Sequence, residues 1–184
     1  MDSIMSFLNN PFFWALLSMF GFVGACAVVG NKKLGNQPLF GIVIVIIVDL
    51  GRFILVLPFC EQPRFDLNGW QWLVGGIILV IGLLFCFPAF FIRPFTSPNE
   101  NVRLVTSGFY SFVRNPIYLG ELLWCLGWAI MFQSIIGVAL VPLWWASFLF
   151  LIILEEEQLE KSLGQPYLEY KKQVRGRIIP GLPI

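Results

Sequence analysis

The sequence predicts an all-α fold: a polytopic membrane bundle of about five transmembrane helices with a C-terminal cytoplasmic cap. Of the 184 residues, 58% are hydrophobic and 12% are charged, so the chain is far more apolar than a soluble domain of this length needs. Apolar runs of about twenty residues, the length that crosses a bilayer, recur along it. Most lysine and arginine residues fall on one side of the predicted spans, which predicts the orientation.

The first half of the chain contains three predicted spans, at about residues 11–30, 39–60 and 71–92. The first run is too long for a signal-peptide core and lacks a basic region before it, which indicates a retained span. In the second span, Asp49 and Arg52 are three residues apart and share a helical face, where they can pair. A structural ion pair is the preferred interpretation, and a catalytic role is the alternative.

The second half of the chain predicts an interfacial segment followed by a helical hairpin. Residues 96–114 mix apolar and small polar side chains, as expected of a segment that lies partly along the membrane surface. Two spans follow, at about residues 116–132 and 135–154. Pro116 suits the first turn of a helix, and Asn115 before it is a good N-cap residue. The fourth span is therefore expected to begin at this point.

The hairpin predicts which polar residues meet. A break of two residues separates its spans, and Gly127 and Gly137 are expected to ease the contact between them. Because the hairpin returns to the side it left, the glutamates at 155–157 should lie near residues 114–116. The remaining tail has apolar and aromatic residues at helix-like spacings, which predicts a folded cap rather than a loose end.

The chain is predicted to be a single membrane domain. Residues 1–95 hold the first three spans, and residues 96–184 hold the interfacial segment, the hairpin and the C-terminal tail. Arg64 lies on one side of the membrane. The basic residues on the other side are Lys32, Lys33, Arg93, Arg103, Arg114, Lys161, Lys171, Lys172, Arg175 and Arg177. The positive-inside rule therefore predicts a multi-pass integral membrane protein whose C-terminus and glutamate run face the cytoplasm.

Residue usage argues against several functional classes. Histidine is absent, which removes the usual general base and the commonest metal ligand. The four cysteines lack C-x-x-C spacing, so they suggest neither a disulfide framework nor a zinc site. The net charge of +1 shows no bias toward nucleic acid. We therefore expect no metal and no nucleic-acid partner.

One predicted membrane face gathers both signs of charge and several aromatic rings. Its members are Arg114, Asn115, Tyr118, Glu155, Glu156, Glu157, Tyr167, Tyr170, Arg175 and Arg177. This set suits a zwitterionic ligand, with an anion at the helix N-terminus, an ammonium or hydroxyl group at a glutamate, and a cation beside an aromatic ring. S-adenosylmethionine has all of these parts. The alternatives are a snorkelling arginine and a solvated charge cluster where a helix leaves the membrane.

The C-terminal part of the chain resembles a known family. The matching residues are 107–110, 113–120, Glu155, Glu156, Leu159, 163–164, Tyr167, Tyr170 and 177–180. In this order and at these separations they are similar to the isoprenylcysteine carboxyl methyltransferase and phospholipid methyltransferase superfamily. The resemblance implies an intramembrane methyltransferase that binds S-adenosylmethionine in a pocket open to the cytosol and takes a lipophilic acceptor from the bilayer.

The resemblance also assigns site residues. The implied cofactor-binding residues are Arg114, Asn115, Tyr118, Glu155, Glu156, Tyr167 and Tyr170, and Arg177 would close the site together with the two tail tyrosines. Two departures from the family pattern stand out. The family often has histidine where this chain has Asn115, and one additional residue before the final Arg-x-x-Pro leaves Arg175 and Arg177 both eligible for one role.

The chemistry of the acceptor decides which residues are predicted to be catalytic. Methyl transfer from a sulfonium needs an aligned and poorly hydrated nucleophile more than acid–base groups. A carboxylate acceptor, as in isoprenylcysteine, would need an arginine clamp, for which Arg175, Arg177 and Arg93 are candidates. A phospholipid amine would need a base, which Glu121 or the glutamate run could supply. Hydrogen bonding to a neighbouring helix is the alternative for Glu121.

Two other functions are compatible with the sequence. An NADPH-dependent membrane reductase of the sterol-reductase type also has an arginine-rich C-terminal pocket, although a nicotinamide phosphate would demand more clustered arginines than lie near Arg114. A non-catalytic scaffold or transport subunit is the third hypothesis.

Overall fold

The chain folds into a bundle of apolar helices, as seen in a computed structural model that describes residues 2–31, 34, 37–92 and 104–182. The helices are α1 (Asp2–Leu8), α2 (Pro11–Gly30), α3 (Pro38–Ile54), α4 (Gln71–Ile92), α5 (Pro116–Met131), α6 (Ile135–Leu163) and α7 (Gln165–Gln173), with a short 3-10 helix (Gly108–Ser111) before α5. Helix α2, most of α4, and α6 are long and apolar enough to cross a membrane. The predicted all-α membrane bundle is confirmed.

Some basic residues used to predict the topology cannot be located. Lys32, Lys33, Arg93 and Arg103 lie outside the described residues, as does the predicted interfacial segment before Leu104.

Two antiparallel helix pairs and a bridging helix make up the bundle. Helices α2 and α3 form one pair, and α4 and α5 form the other and pack more extensively. Helix α6 contacts both α5 and α2, so it joins the two pairs. The buried residues that it contributes to this junction include Trp144, Phe148 and Ile152.

Glycines let α4 and α5 approach closely. A Cβ atom added at Gly75 would lie 2.6 Å from the carbonyl oxygen of Gly127, and one added at Gly120 would lie 2.6 Å from that of Gly82. Each helix thus has two glycines seven residues apart on one face, which brings the backbones together. The prediction that Gly127 faces the fifth span is therefore wrong, since this glycine faces α4. Gly137 does lie against α5, beside Ala129.

Helix α3 ends at Ile54, six residues before the predicted end, because Pro58 has no N–H to donate to the Ile54 carbonyl oxygen. The Arg64 guanidinium donates hydrogen bonds to the carbonyl oxygens of Val56, Leu57 and Cys60 and to that of Phe132, the residue that ends α5. These carbonyls follow helix ends, where no intrahelical donor is available. Arg64 therefore holds the end of α3 to the turn between α5 and α6.

Helix α6 continues nine residues past the predicted end of the fifth span. Its 29 residues would extend about 43 Å at 1.5 Å per residue, against a hydrocarbon core of about 30 Å. The apolar part, residues 135–154, is sufficient to cross that core. The helix therefore carries its glutamates out of the membrane without interruption.

The C-terminal tail forms a folded cap, as predicted. Tyr167, Tyr170 and Val174 are buried together against Leu159 and other apolar side chains. The Tyr170 hydroxyl donates a hydrogen bond to the carbonyl oxygen of Tyr110 at 2.7 Å. This bond fastens the cap to the 3-10 helix that precedes α5.

Candidate functional site

The hairpin of α5 and α6 brings Glu156 to Arg114, as the sequence predicts. Arg114 Nε donates a hydrogen bond to Glu156 Oε1 at 2.7 Å, and Nη2 donates to Oε2 at 3.3 Å. Both side chains are buried. The two residues stand at opposite ends of the hairpin sequence, so the antiparallel course of α5 and α6 makes this contact.

Arg114 also fixes the C-terminal tail. Its Nη1 donates to the carbonyl oxygens of Val174 at 2.7 Å and Arg175 at 2.8 Å. The backbone N–H of Arg114 donates to the carbonyl oxygen of Gly176 at 2.9 Å, and that of Asn115 donates to Arg177 at 3.0 Å. The tail is thereby held against the start of α5. These main-chain partners carry no sequence signal, and sequence reasoning missed them.

Of the two arginines that the sequence leaves eligible, Arg177 reaches the glutamate. Its Nε donates to Glu156 Oε2 at 3.1 Å. The Arg175 residue is exposed, and its side chain makes no ion pair within the described part of the chain. The structure therefore brings Arg114, Glu156 and Arg177 together into one group, which we call the motif cluster.

The electrostatics of the motif cluster favour an ionised glutamate. Only 2% of the Glu156 side chain is exposed. Burial alone would raise the pKa of Glu156, but the hydrogen bonds and charges of Arg114 and Arg177 outweigh it, so the pKa is lowered. With two guanidinium groups to one carboxylate, the cluster keeps an excess of positive charge.

Asn115 occupies the N-cap position of α5, but its side chain does not cap the helix. Instead, its Nδ2 donates to Glu156 Oε1 at 3.3 Å. The prediction of a capping bond is therefore wrong, because the bond from Nδ2 to the buried carboxylate holds the amide where Oδ1 accepts no bond from the helix N–H groups. Pro116 has no N–H, and the N–H groups of the following residues donate no bond to the cap side chain. An uncapped helix N-terminus of this kind suits an anion.

Tyr118 and Glu155 form a second polar pair next to the motif cluster. The Tyr118 hydroxyl and Glu155 Oε1 are 2.7 Å apart, and both residues are partly exposed. The Tyr118 ring packs against Phe148 of α6, with centroids 5.1 Å apart. Gln158, one turn beyond Glu155, donates to the carbonyl oxygen of Val29. The end of α2 thus lies beside this part of α6.

Tyr167 and Tyr170 are placed in the core of the cap. Their ring centroids are 6.0 Å apart and lie in one apolar cluster with Val174, which begins the tail segment that leads to Arg177. Their burial supports the tail. A direct contact of either tyrosine with a cofactor stays a prediction.

Glu121 lies apart from the motif cluster, in a group that we call the membrane cluster: Asp49, Arg52 and Glu121. Arg52 Nη2 donates to Glu121 Oε2 at 2.5 Å and also to Asp49 Oδ1. The predicted pairing of Asp49 with Arg52 is confirmed. The bond of Glu121 to Arg52 of α3 agrees with the alternative that Glu121 bonds to a neighbouring helix, although the sequence did not identify the partner.

No group of three or more histidine, cysteine, aspartate or glutamate side chains that could hold a metal is found among the described residues.

Comparison with known proteins identifies the family. Residues 69–166, just over half of the chain, match the phospholipid methyltransferase family. The chain belongs to this family. The matched region includes all of α4, α5 and α6, and therefore Arg114, Glu121 and Glu156. Asp49, Arg52 and Arg177 lie outside it.

Relatives of this family member carry a more specific name. Protein-S-isoprenylcysteine O-methyltransferase A of Arabidopsis thaliana is 31% identical over 120 residues, which are 61% of this chain and 61% of the relative. The Homo sapiens protein-S-isoprenylcysteine O-methyltransferase is 40% identical over 86 residues, 46% of this chain and 29% of the relative. The chain spans less than two thirds of the length of either relative. No solved structure matches it.

Proposed function

We propose that this family member is an S-adenosylmethionine-dependent membrane methyltransferase that transfers a methyl group to a lipophilic acceptor from the bilayer. The observation that carries the proposal is the motif cluster at the N-terminus of α5, in which Glu156 joins the two arginines that the family resemblance assigns to the site. The acceptor is a carboxylate of the isoprenylcysteine type, as the names of the relatives suggest, or a phospholipid amine, as the family name suggests.

The residues at this site fit the methyl donor. The uncapped N-terminus of α5 offers N–H groups to the donor's carboxylate, and the positive excess of the motif cluster favours the same anion. Glu155 and Tyr118 offer oxygen atoms to ribose hydroxyls or to the ammonium group. We infer that Arg114 and Glu156 act mainly by holding the tail and the start of α5 in place, since most of their polar atoms already bond within the protein.

The donor supplies an activated methyl group, and the protein's task is alignment and exclusion of water. The tail that Arg114 and Arg177 hold down covers the start of α5, where bulk water would otherwise compete for the donor's charges. The ring of Tyr118 packs against the buried ring of Phe148 beside this site, which makes that side of it apolar. An aligned and poorly hydrated nucleophile is what displacement at a sulfonium methyl group requires.

The proposed orientation places this site at the cytoplasmic face. Arg64 lies with the turn between α5 and α6, at the opposite end of α5 from Arg114. Labelling of single cysteines in sealed vesicles checks it: Lys172→Cys should react only from the cytoplasmic side, and Asp66→Cys only from the other. The reverse pattern would contradict the orientation.

Calorimetry on the purified chain tests donor binding. Wild-type protein should bind S-adenosylmethionine, and Glu155→Ala should weaken binding by roughly tenfold, as the loss of a charge-assisted hydrogen bond predicts. Glu169→Ala, an exposed change on α7, serves as the control. Absence of binding by folded protein would refute the proposal. A thermal shift with NADPH but not with S-adenosylmethionine would favour a reductase instead.

A lipid assay tests the reaction. The protein is incubated with a total lipid extract and methyl-labelled donor, and mass spectrometry identifies the lipid that gains the label. A labelled lipid is the expected result. Donor binding without transfer to any lipid or to added S-farnesylcysteine would leave the methyltransferase proposal without its reaction and favour a non-catalytic role.

A further inference from the structure

The membrane cluster joins two helices in the apolar part of the bundle and lies outside the motif cluster. Asp49 and Arg52 belong to α3, and Glu121 belongs to α5. A third helix reaches it through Cys86 of α4, whose Sγ is 3.7 Å from Glu121 Oε1. Asp49 and Arg52 precede the region that matches the family, so the family match assigns them nothing.

The charges of the membrane cluster do not balance. Two carboxylates share one guanidinium group, and within the described residues no further cation pairs with them. The two carboxylates are also more exposed than the arginine. Only 2% of the Arg52 side chain is exposed, against 37% for Asp49 and 20% for Glu121. Partly open carboxylates with an excess of negative charge attract a cation, and charged groups at this depth commonly mark a functional site.

Arg52 also has hydrogen-bonding capacity that the protein does not use. Its Nε and Nη1 atoms are buried and have no partner among the described residues. The rings of Phe22, Trp124 and Phe148 surround the guanidinium group, with centroids 5.8, 5.4 and 5.2 Å from Cζ. These rings stabilise the charge but accept no conventional hydrogen bond. A headgroup oxygen beside an amine would supply the missing acceptor.

The position of the membrane cluster connects the bilayer to the proposed donor site. Glu121 follows Tyr118 by three residues, so it lies on the same side of α5 about 4.5 Å deeper in the membrane. Helix α5 packs far less extensively on α3 than on α4. Asp49 and Glu121 are partly exposed, so we infer that a lipid headgroup approaches α5 on the side where these two carboxylates lie.

We propose that the membrane cluster binds the headgroup of a lipid that carries a primary amine, with Glu121 as its proton acceptor. The inference rests on the proposed methyltransferase function and selects the amine from its two acceptor classes. The lipid ammonium gives a proton to the Glu121 carboxylate, which leaves a lone pair on nitrogen. That lone pair forms the N–C bond as the C–S bond of the sulfonium donor breaks, and the donor becomes a neutral thioether. The proton on Glu121 then passes to water.

The experiment compares two acceptors and three variants in the purified full-length chain. The acceptors are phosphatidylethanolamine and S-farnesylcysteine, each with methyl-labelled S-adenosylmethionine. The variants are Glu121→Gln, Asp49→Asn and, as the matched control, Glu169→Gln on the exposed face of α7. Donor affinity by calorimetry reports whether each variant is folded, and native mass spectrometry reports retention of phosphatidylethanolamine.

The expected result distinguishes a loss of catalytic rate from a loss of folded protein. Wild-type protein and Glu169→Gln should methylate the amine lipid, and Glu121→Gln should lose about a hundredfold in rate while its donor affinity stays within about twofold. Asp49→Asn should retain less phosphatidylethanolamine. Methylation of S-farnesylcysteine but not of the amine lipid, or full activity of Glu121→Gln, would overturn the inference and leave the proposed function intact. Absence of both donor binding and transfer would refute the proposed function itself.

Discussion

The two polar clusters of this protein are built from the same side-chain types and differ in how completely they are satisfied. In the motif cluster, Glu156 lies between Arg114 and Arg177, and the remaining Arg114 donors reach tail carbonyls. In the membrane cluster, Arg52 holds two carboxylates through a single nitrogen atom and leaves two others without described partners.

The difference indicates that the two clusters have different roles. A cluster that uses its hydrogen bonds internally fixes one conformation, and the motif cluster does so for the start of α5 and the tail. A cluster with spare donors and an excess of one charge is suited to a ligand. Charged residues that look equally functional in the sequence therefore differ in role. Those of the motif cluster fix the conformation of the site, and those of the membrane cluster are suited to a ligand.

The largest effect is expected from breaking the motif cluster at its centre. Glu156→Ala leaves two guanidinium groups facing each other without a counter-charge, so the free energy of unfolding should fall by about 3–5 kcal/mol. Denaturant titration in detergent measures it. The neighbouring change Glu157→Ala is the control, because this exposed side chain pairs only with exposed Lys161 among its described partners. Equal stability of the two variants would show that Glu156 is not central.

A smaller loss is expected in the membrane cluster. Arg52→Met removes the cation that pairs with both Asp49 and Glu121 among the described residues. The free energy of unfolding should fall by about 3 kcal/mol, because these carboxylates, unlike Glu156, are partly exposed and keep some hydration. The triple variant Asp49→Asn, Arg52→Met, Glu121→Gln removes all of the charges and should recover most of that stability without recovering methyl transfer. If activity returned with stability, the cluster would be only structural.

The positions of both clusters depend on α5, which its glycines hold against α4. Gly75→Ala places a Cβ atom 2.6 Å from the carbonyl oxygen of Gly127 and should destabilise the fold by about 2 kcal/mol. Gly76→Ala is a matched control, because a Cβ atom there meets nothing within 4 Å. That change should stabilise the helix by up to about 1 kcal/mol. Similar effects at both positions would contradict close packing of the two helices.

The smallest effect is expected at Asn115, the residue that departs from the family pattern. Asn115→Leu removes one long hydrogen bond to Glu156, and Arg114 and Arg177 remain, so stability should fall by about 1 kcal/mol. Unfolding in detergent and donor binding by calorimetry check this together. A loss of donor binding far beyond the loss of stability would assign Asn115 to the ligand instead.

Much of the fold follows from local properties of the sequence. Helices α2 and α4 begin and end where the predicted spans do, because long apolar runs flanked by polar residues determine them. The end of α3 at Ile54 was missed although Pro58 signals it, since proline has no N–H to bond the Ile54 carbonyl oxygen. The contact of Arg64 with Phe132, 68 residues away, depends on the tertiary fold. The extension of α6 was missed because the hydropathy of the glutamate run ends the span but not the helix.

In the candidate site, too, some contacts follow from the local sequence and others depend on the tertiary fold. The meeting of Arg114 with Glu156 follows from the hairpin, whose two spans are adjacent in sequence. The preference for Arg177 over Arg175 depends on the path of the tail after α7, which spacing alone does not determine. The partnership of Glu121 with Arg52 depends on which helices are neighbours in the bundle.

The hydrogen bonds of Arg64 have a consequence for biosynthesis. During translation, residue 64 leaves the ribosome well before Phe132, so the guanidinium group can at first bind only the carbonyls that follow α3. Its last partner arrives once α5 has been synthesised. Closure of this contact therefore records the assembly of the second helix pair onto the first, and a chain arrested before residue 132 would retain an incompletely bonded arginine.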